Sequence, residues 1–90
     1  MKYTIGTVYT SAAYPNGVTA SLMPKHKAVL LTAGSAALTF TGKMMNPGWT
    51  MESASNIAIV TLTNTSQTLP IEFSSFSALS GTNGAVTFLN

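Results

Sequence analysis

Two stretches decide how this chain folds: Leu31–Phe40, LTAGSAALTF, and Leu62–Phe73, LTNTSQTLPIEF. Each opens on Leu-Thr, crosses small polar residues around a Ser, returns to Leu and ends on Phe. In the first, Leu38 and Phe40 fall on one side of an extended chain and Thr39 and Thr41 on the other, the period-two alternation of a half-buried strand. Helical spacing persists nowhere, and no capping box precedes an apolar run. Each stretch therefore reads as two strands joined at a β-arch or hairpin, with Leu and Phe in a core and small polar residues at the corner. For the first stretch the expected form is a hairpin about Gly34, with arms over 28–33 and 36–41. Too few positions match for an internal duplication; the same local solution is used twice.

Working outward, turn signals recur about every ten residues: YPNG (Tyr14–Gly17), MPKHK (Met23–Lys27), AGS (Ala33–Ser35), NPG (Asn46–Gly48), SASN (Ser53–Asn56), NTSQT (Asn64–Thr68) and SGTNG (Ser80–Gly84). Gly and Asn tolerate positive φ, and Pro presets the first corner of a turn. This is the rhythm of a sandwich or small barrel. The intervening runs predict strands over 2–10, 18–22, 28–33, 36–41, 49–52, 57–63, 69–73 and 85–89. Pro70 confines its run to an edge or a strand start. Ile57–Thr63 is apolar on both sides at its start, which predicts cover on both faces. The expected fold is all-β: a small antiparallel β-sandwich, jelly-roll-like or Ig-like, of about six to eight short strands. It forms one domain over residues 1–90, with residues 1–14 as a candidate extended arm.

Charge is the outlying feature. Only Lys2, Lys25, Lys27, Lys43, Glu52 and Glu72 are charged, 7% of the chain against a usual share of about 25%. A freely diffusing monomer keeps more charge for solubility; a subunit held in an assembly does without it. The chain has no cysteine, so no disulfide supports so small a core. A subunit interface is the remaining source of buried area. The segment holding Met44, Met45, Trp49 and Met51 is the candidate interface, because adaptable Met and aromatic side chains are enriched at interface cores.

Site chemistry is sparse. His26, the single histidine, stands in PKHK away from any nucleophile or acid motif and reads as a surface loop residue. Glu52 and Glu72 have no motif around them. No catalytic, metal or cofactor constellation is expected, and the chain does not read as an enzyme. Arg, the preferred phosphate fork, is absent, which argues against nucleic acid. No run approaches a membrane span, and the N-terminal MKYTIGTVYTSAAYP lacks the apolar core of a signal peptide, so synthesis in a cytoplasm without export is expected. A platform of Trp49 with Tyr3, Tyr9 and Tyr14 for stacking on sugars is the chemical alternative to interface packing.

The texture of KAVLLTAGSAALTFTG (Lys27–Gly42) followed by VTLTNTSQTLPIEFSSFSALSGTNGAVTFLN (Val60–Asn90) resembles small virion structural proteins of tailed bacteriophages. These are short, Thr/Ser/Gly-rich, nearly uncharged β-sandwich proteins. The resemblance covers Ala28–Asn90 and carries no transferable site residue. It implies a capsid decoration or head-fibre-type accessory subunit located in the virion. Such a subunit acts by contact with the major capsid protein or other virion proteins, as a homo-oligomer for which a trimer is one admissible order. A tail or receptor-binding module, and a carbohydrate-binding β-sandwich module, are the other readings.

Overall fold

The computed structural model describes residues 3–45, 56–77 and 84–90. Seven strands appear there: β1 (Ile5–Thr10), β2 (Ala28–Thr32), β3 (Leu38–Met44), β4 (Ile57–Leu62), β5 (Ser66–Leu69), β6 (Phe73–Ser77) and β7 (Ala85–Leu89). All pairings are antiparallel. They build a four-stranded sheet in the order β1-β7-β2-β5 and a three-stranded sheet in the order β4-β3-β6. The expected all-β sandwich is what forms.

The order also separates the two sandwich types left open by the sequence. Val18 makes an isolated antiparallel bridge to Phe76, which places it beside β6 as a vestigial eighth strand. Followed along the chain, the elements alternate between sheets, except that β3 and β4 are neighbours in one. With Val18 in the fourth place, the smaller sheet reads Val18-β6-β3-β4. This is the double-Greek-key connectivity of a jelly roll.

The two opening stretches are arches, not hairpins. β2 belongs to the larger sheet and β3 to the smaller, so Ala33–Ala37 carries the chain between layers instead of turning it back on itself. The second stretch does the same from β4 to β5. Their likeness now has a geometric meaning. The first arm of each stretch pairs with the second arm of the other: Leu31 opposes Gln67 in one sheet, and Leu38 opposes Leu62 in the other. The corners themselves are joined, because the Asn64 N–H donates to the Gly34 carbonyl at 2.8 Å and the Ala33 N–H to the Thr65 carbonyl at 2.9 Å. Asn64 holds φ at 51°, a left-handed conformation that Asn tolerates better than branched residues.

Three further expectations change. Val18–Leu22 is not a strand; beyond the Val18 bridge the chain closes a 3-10 turn at Ala20–Leu22. The strand expected over 69–73 does not form: β5 occupies Ser66–Leu69, inside the stretch read as the NTSQT turn, and β6 starts at Phe73, with Pro70, which has no N–H to continue a ladder, in the connection between them. β4 is covered on one face only: Ile57 and Ile59 are exposed. The strand expected over 49–52 lies outside the described residues. The segment proposed as an extended arm contains β1, which pairs with β7 through Ile5–Leu89 and Val8–Thr87.

The core sits between the sheets. Phe40, Phe73, Phe88, Leu31, Leu38, Val29 and Val86 are fully buried, each contributing about 1.5–3 kcal/mol by burial. Phe76 of the smaller sheet meets Tyr9 and Phe88 of the larger at centroid distances of 5.7 and 5.8 Å. Phe40 meets Phe73 edge-on at 5.0 Å. Two devices make this packing possible. A bulge in β6 sets Lys43 opposite Ser75 but Met44 opposite Phe73, so Phe73 and Phe76, three apart, both reach the core. Ser74, the extra residue, is buried, and its hydroxyl donates to the Lys43 carbonyl at 3.4 Å. Opposite them Gly42 leaves the room that the rings occupy: a Cβ there would stand 2.6 Å from Phe73 and 2.7 Å from Phe40.

Candidate interaction surface

The outer face of the smaller sheet follows from strand parity. With Leu38, Phe40 and Gly42 turned inward, β3 presents Thr39, Thr41 and Lys43 outward. The register places Lys43 beside Ile57, Thr41 beside Ile59 and Thr39 beside Thr61, and the Thr39 and Thr61 hydroxyls lie 3.3 Å apart. Ser75 of β6 continues the Lys43 row. Among the described residues the face is therefore Ile, Thr and Ser with one Lys. Ile59 leaves 68% of its surface in solvent and Ile57 39%. The sequence signal for this patch was present in IAIV, but its reading as a doubly covered strand hid it.

A second feature lies at the end of the sandwich where the 23–27 loop meets the β5–β6 connection. His26 is 3% exposed, which corrects its expected place on a surface loop. The Phe73 N–H donates to His26 Nε2 at 2.9 Å. Nε2 must then carry the lone pair, so the ring proton is on Nδ1, and Nδ1 donates to the Pro24 carbonyl at 3.0 Å. The ring also packs on Phe88 with 4.5 Å between centroids. Burial lowers the His26 pKa below its ordinary value, outweighing the Pro24 hydrogen bond and the Glu72 charge, which both favour the imidazolium. With its lone pair given to a backbone amide, this imidazole is built as a tie between the loop and β6, not as a base facing solvent. Nothing in PKHK announces that role; it depends on where β6 starts.

Around the tie lies an open hollow of about 440 Å³ lined by Lys25, His26, Lys27, Glu72 and Asn90. A smaller one of about 260 Å³ is lined by Lys27, Met45, Pro70, Ile71 and Glu72. Glu72 Oε2 is buried without a hydrogen-bond partner. Among the described residues no three His, Asp or Glu side chains converge in a metal-binding group.

The candidate interface residues separate. Met44 packs against the subunit's own core. Met45 is half-buried, lines the smaller hollow, and donates its N–H to the Glu72 carbonyl at 2.9 Å. Trp49 and Met51 lie outside the described residues. The stacking platform loses one member: Tyr9 is buried, its hydroxyl donates to the Leu22 carbonyl at 2.9 Å, and Tyr14 meets its ring edge-on.

No protein-family model, curated protein or solved structure matches this chain.

Proposed function

We propose that this protein is a structural subunit of a virus particle of the tailed-bacteriophage kind, a capsid decoration or head-fibre-type accessory protein. It works by protein–protein contact with the major capsid protein or another virion protein and resides in the virion. The observation that carries the reading is the outer face of the smaller sheet, where, among the described residues, aliphatic and hydroxyl side chains stand beside a single charge. A patch of this kind favours contact with another protein surface over recognition of a charged ligand. Support comes also from the jelly-roll connectivity, an architecture used by capsid domains, although a fold alone does not name a function. The chain-wide scarcity of charge points the same way.

Purified particles test the proposal directly. The protein is expected in them at a copy number related by a simple ratio to the major capsid protein. Recombinant protein should rebind particles that lack it, and binding should survive about 1 M salt, where the Debye length is near 3 Å and exposed charge pairs are screened out. Absence from washed particles would remove the proposal.

A further inference from the structure

We propose that β4 is a self-pairing seam, through which two copies of this chain join their smaller sheets edge to edge about a two-fold axis. The inference deepens the reading of the protein as an assembly subunit and rests on it.

Among the described residues the open strand positions are β1, β5, β4 and β6, and they are not equivalent. β1 shifts register between Ile5 and Val8, an irregularity that twists an edge away from a new partner. β5 has four residues and ends one residue before Pro70. β6 carries the bulge opposite Met44, its first N–H is taken by His26, and Val18 bridges to Phe76 from outside. β4 has none of these protections. It runs six residues, IAIVTL, without Pro, Gly or charge, and holds an unbroken register of six pairs with β3. In an antiparallel ladder every second residue of such a strand turns its N–H and C=O to the open side. A flat, uncharged edge of this length is a template for another strand.

The occupant is a second copy because the strand complements itself. Antiparallel pairing centred on Ile59 sets Ile59 against Ile59 of the second copy, Ile57 against Thr61, and Ala58 against Val60. Outward apolar groups then meet across the seam, and inward Ala58 and Val60 extend the core-facing side. The nearest charge among the described residues, Lys43, sits one strand inside, beside Ile57. In this arrangement the two Lys43 side chains stand on different rows, roughly 20 Å apart by strand rise and strand spacing. That exceeds the Debye length of about 8 Å at physiological salt, so the Lys43 charges do not oppose the seam. The strand presents no charge by which an acidic or basic partner would select it. The product is one continuous sheet in the order β6-β3-β4-β4-β3-β6.

Sedimentation equilibrium of the whole chain decides the matter with three proteins: wild type, Ile59→Lys and Ile59→Glu. Ile59 is exposed, so both variants should keep the wild-type circular dichroism spectrum. Wild type is expected to dimerise. Each variant places like charges directly opposite and should associate about tenfold or more weakly. An equimolar mixture of the two sets Lys against Glu and should recover the dimer, which a merely destabilised fold would not do. A wild type that stays monomeric at about 0.1 mM, weaker than a contact of that dissociation constant, overturns the seam. So does an oligomer indifferent to both substitutions, or variants that do not recover on mixing. Particle recovery of the same proteins reports on the virion role separately: a monomer that still binds particles sinks the seam and leaves that role standing.

Discussion

Replacing His26 tests the tie between the loop and the smaller sheet. In His26→Ala the Phe73 N–H loses its acceptor while Phe73 remains fully buried, and an unsatisfied buried donor costs about 1–3 kcal/mol. Loss of the ring from its contact with Phe88 adds on the order of 1–2 kcal/mol of packing. The expected destabilisation is therefore about 2–5 kcal/mol. In a domain of this size each kcal/mol lowers Tm by about 4–8 °C, so a fall of at least about 8 °C is expected in thermal melts followed by circular dichroism. The same bond makes stability depend on pH. Burial penalises the imidazolium and so lowers the folded-state pKa, and a proton on Nε2 would also take the lone pair that accepts from the Phe73 N–H. Between that pKa and the unfolded value of about 6.5, the unfolded chain binds more protons. The stabilisation is thus complete above about pH 6.5 and declines as pH falls below it, by at most about 1.4 kcal/mol per pH unit, until the folded-state pKa is reached. His26 is the single histidine, so the slope of urea unfolding between about pH 7.5 and about 5, compared between wild type and His26→Ala, reports on this group. His26→Ala should lose the slope over that range. A variant as stable as wild type, or one that keeps the slope, would refute the assignment of Nε2 as the acceptor for Phe73.

Gly42→Val should destabilise by at least about 2 kcal/mol in urea unfolding, because its branches would enter space held by Phe40 and Phe73 and overpacking carries that scale of penalty. Tyr9→Phe removes the hydrogen bond to the Leu22 carbonyl and should cost about 0.5–1.5 kcal/mol, with faster amide exchange at Leu22, whose N–H bonds to the Thr19 carbonyl in the 3-10 turn. Ile59→Lys in dilute, monomeric protein should change unfolding free energy by no more than about 0.5 kcal/mol, as expected for a solvent-facing position; a larger loss would place Ile59 in the subunit's own core.

Strand character, and which side chains face inward, were legible in the chain because alternation is local. Leu38 and Phe40 with Thr39 and Thr41 between them state their faces without reference to any partner, and Asn64 marks a corner; Pro70 read as part of a strand over 69–73, where the folded chain has the β5–β6 connection. Scarce charge and the absence of cysteine likewise restricted the chemistry available. Pairing was not legible. Ala33–Ala37 is compatible with both a hairpin and an arch, and the choice fell to the other sheet: Leu31 finds Gln67 and Leu38 finds Leu62 because both corners cross between layers together. The same is true of burial. His26 looked like a loop residue between two lysines, and Ile57 and Ile59 looked like a covered strand. The first is buried because the start of β6 brings an N–H to its ring; the second are exposed because they point to the outer face of the smaller sheet, which no described segment covers. Side-chain alternation is written into neighbouring residues, whereas cover and register are set by contacts between segments tens of residues apart, and only the folded layers decide those.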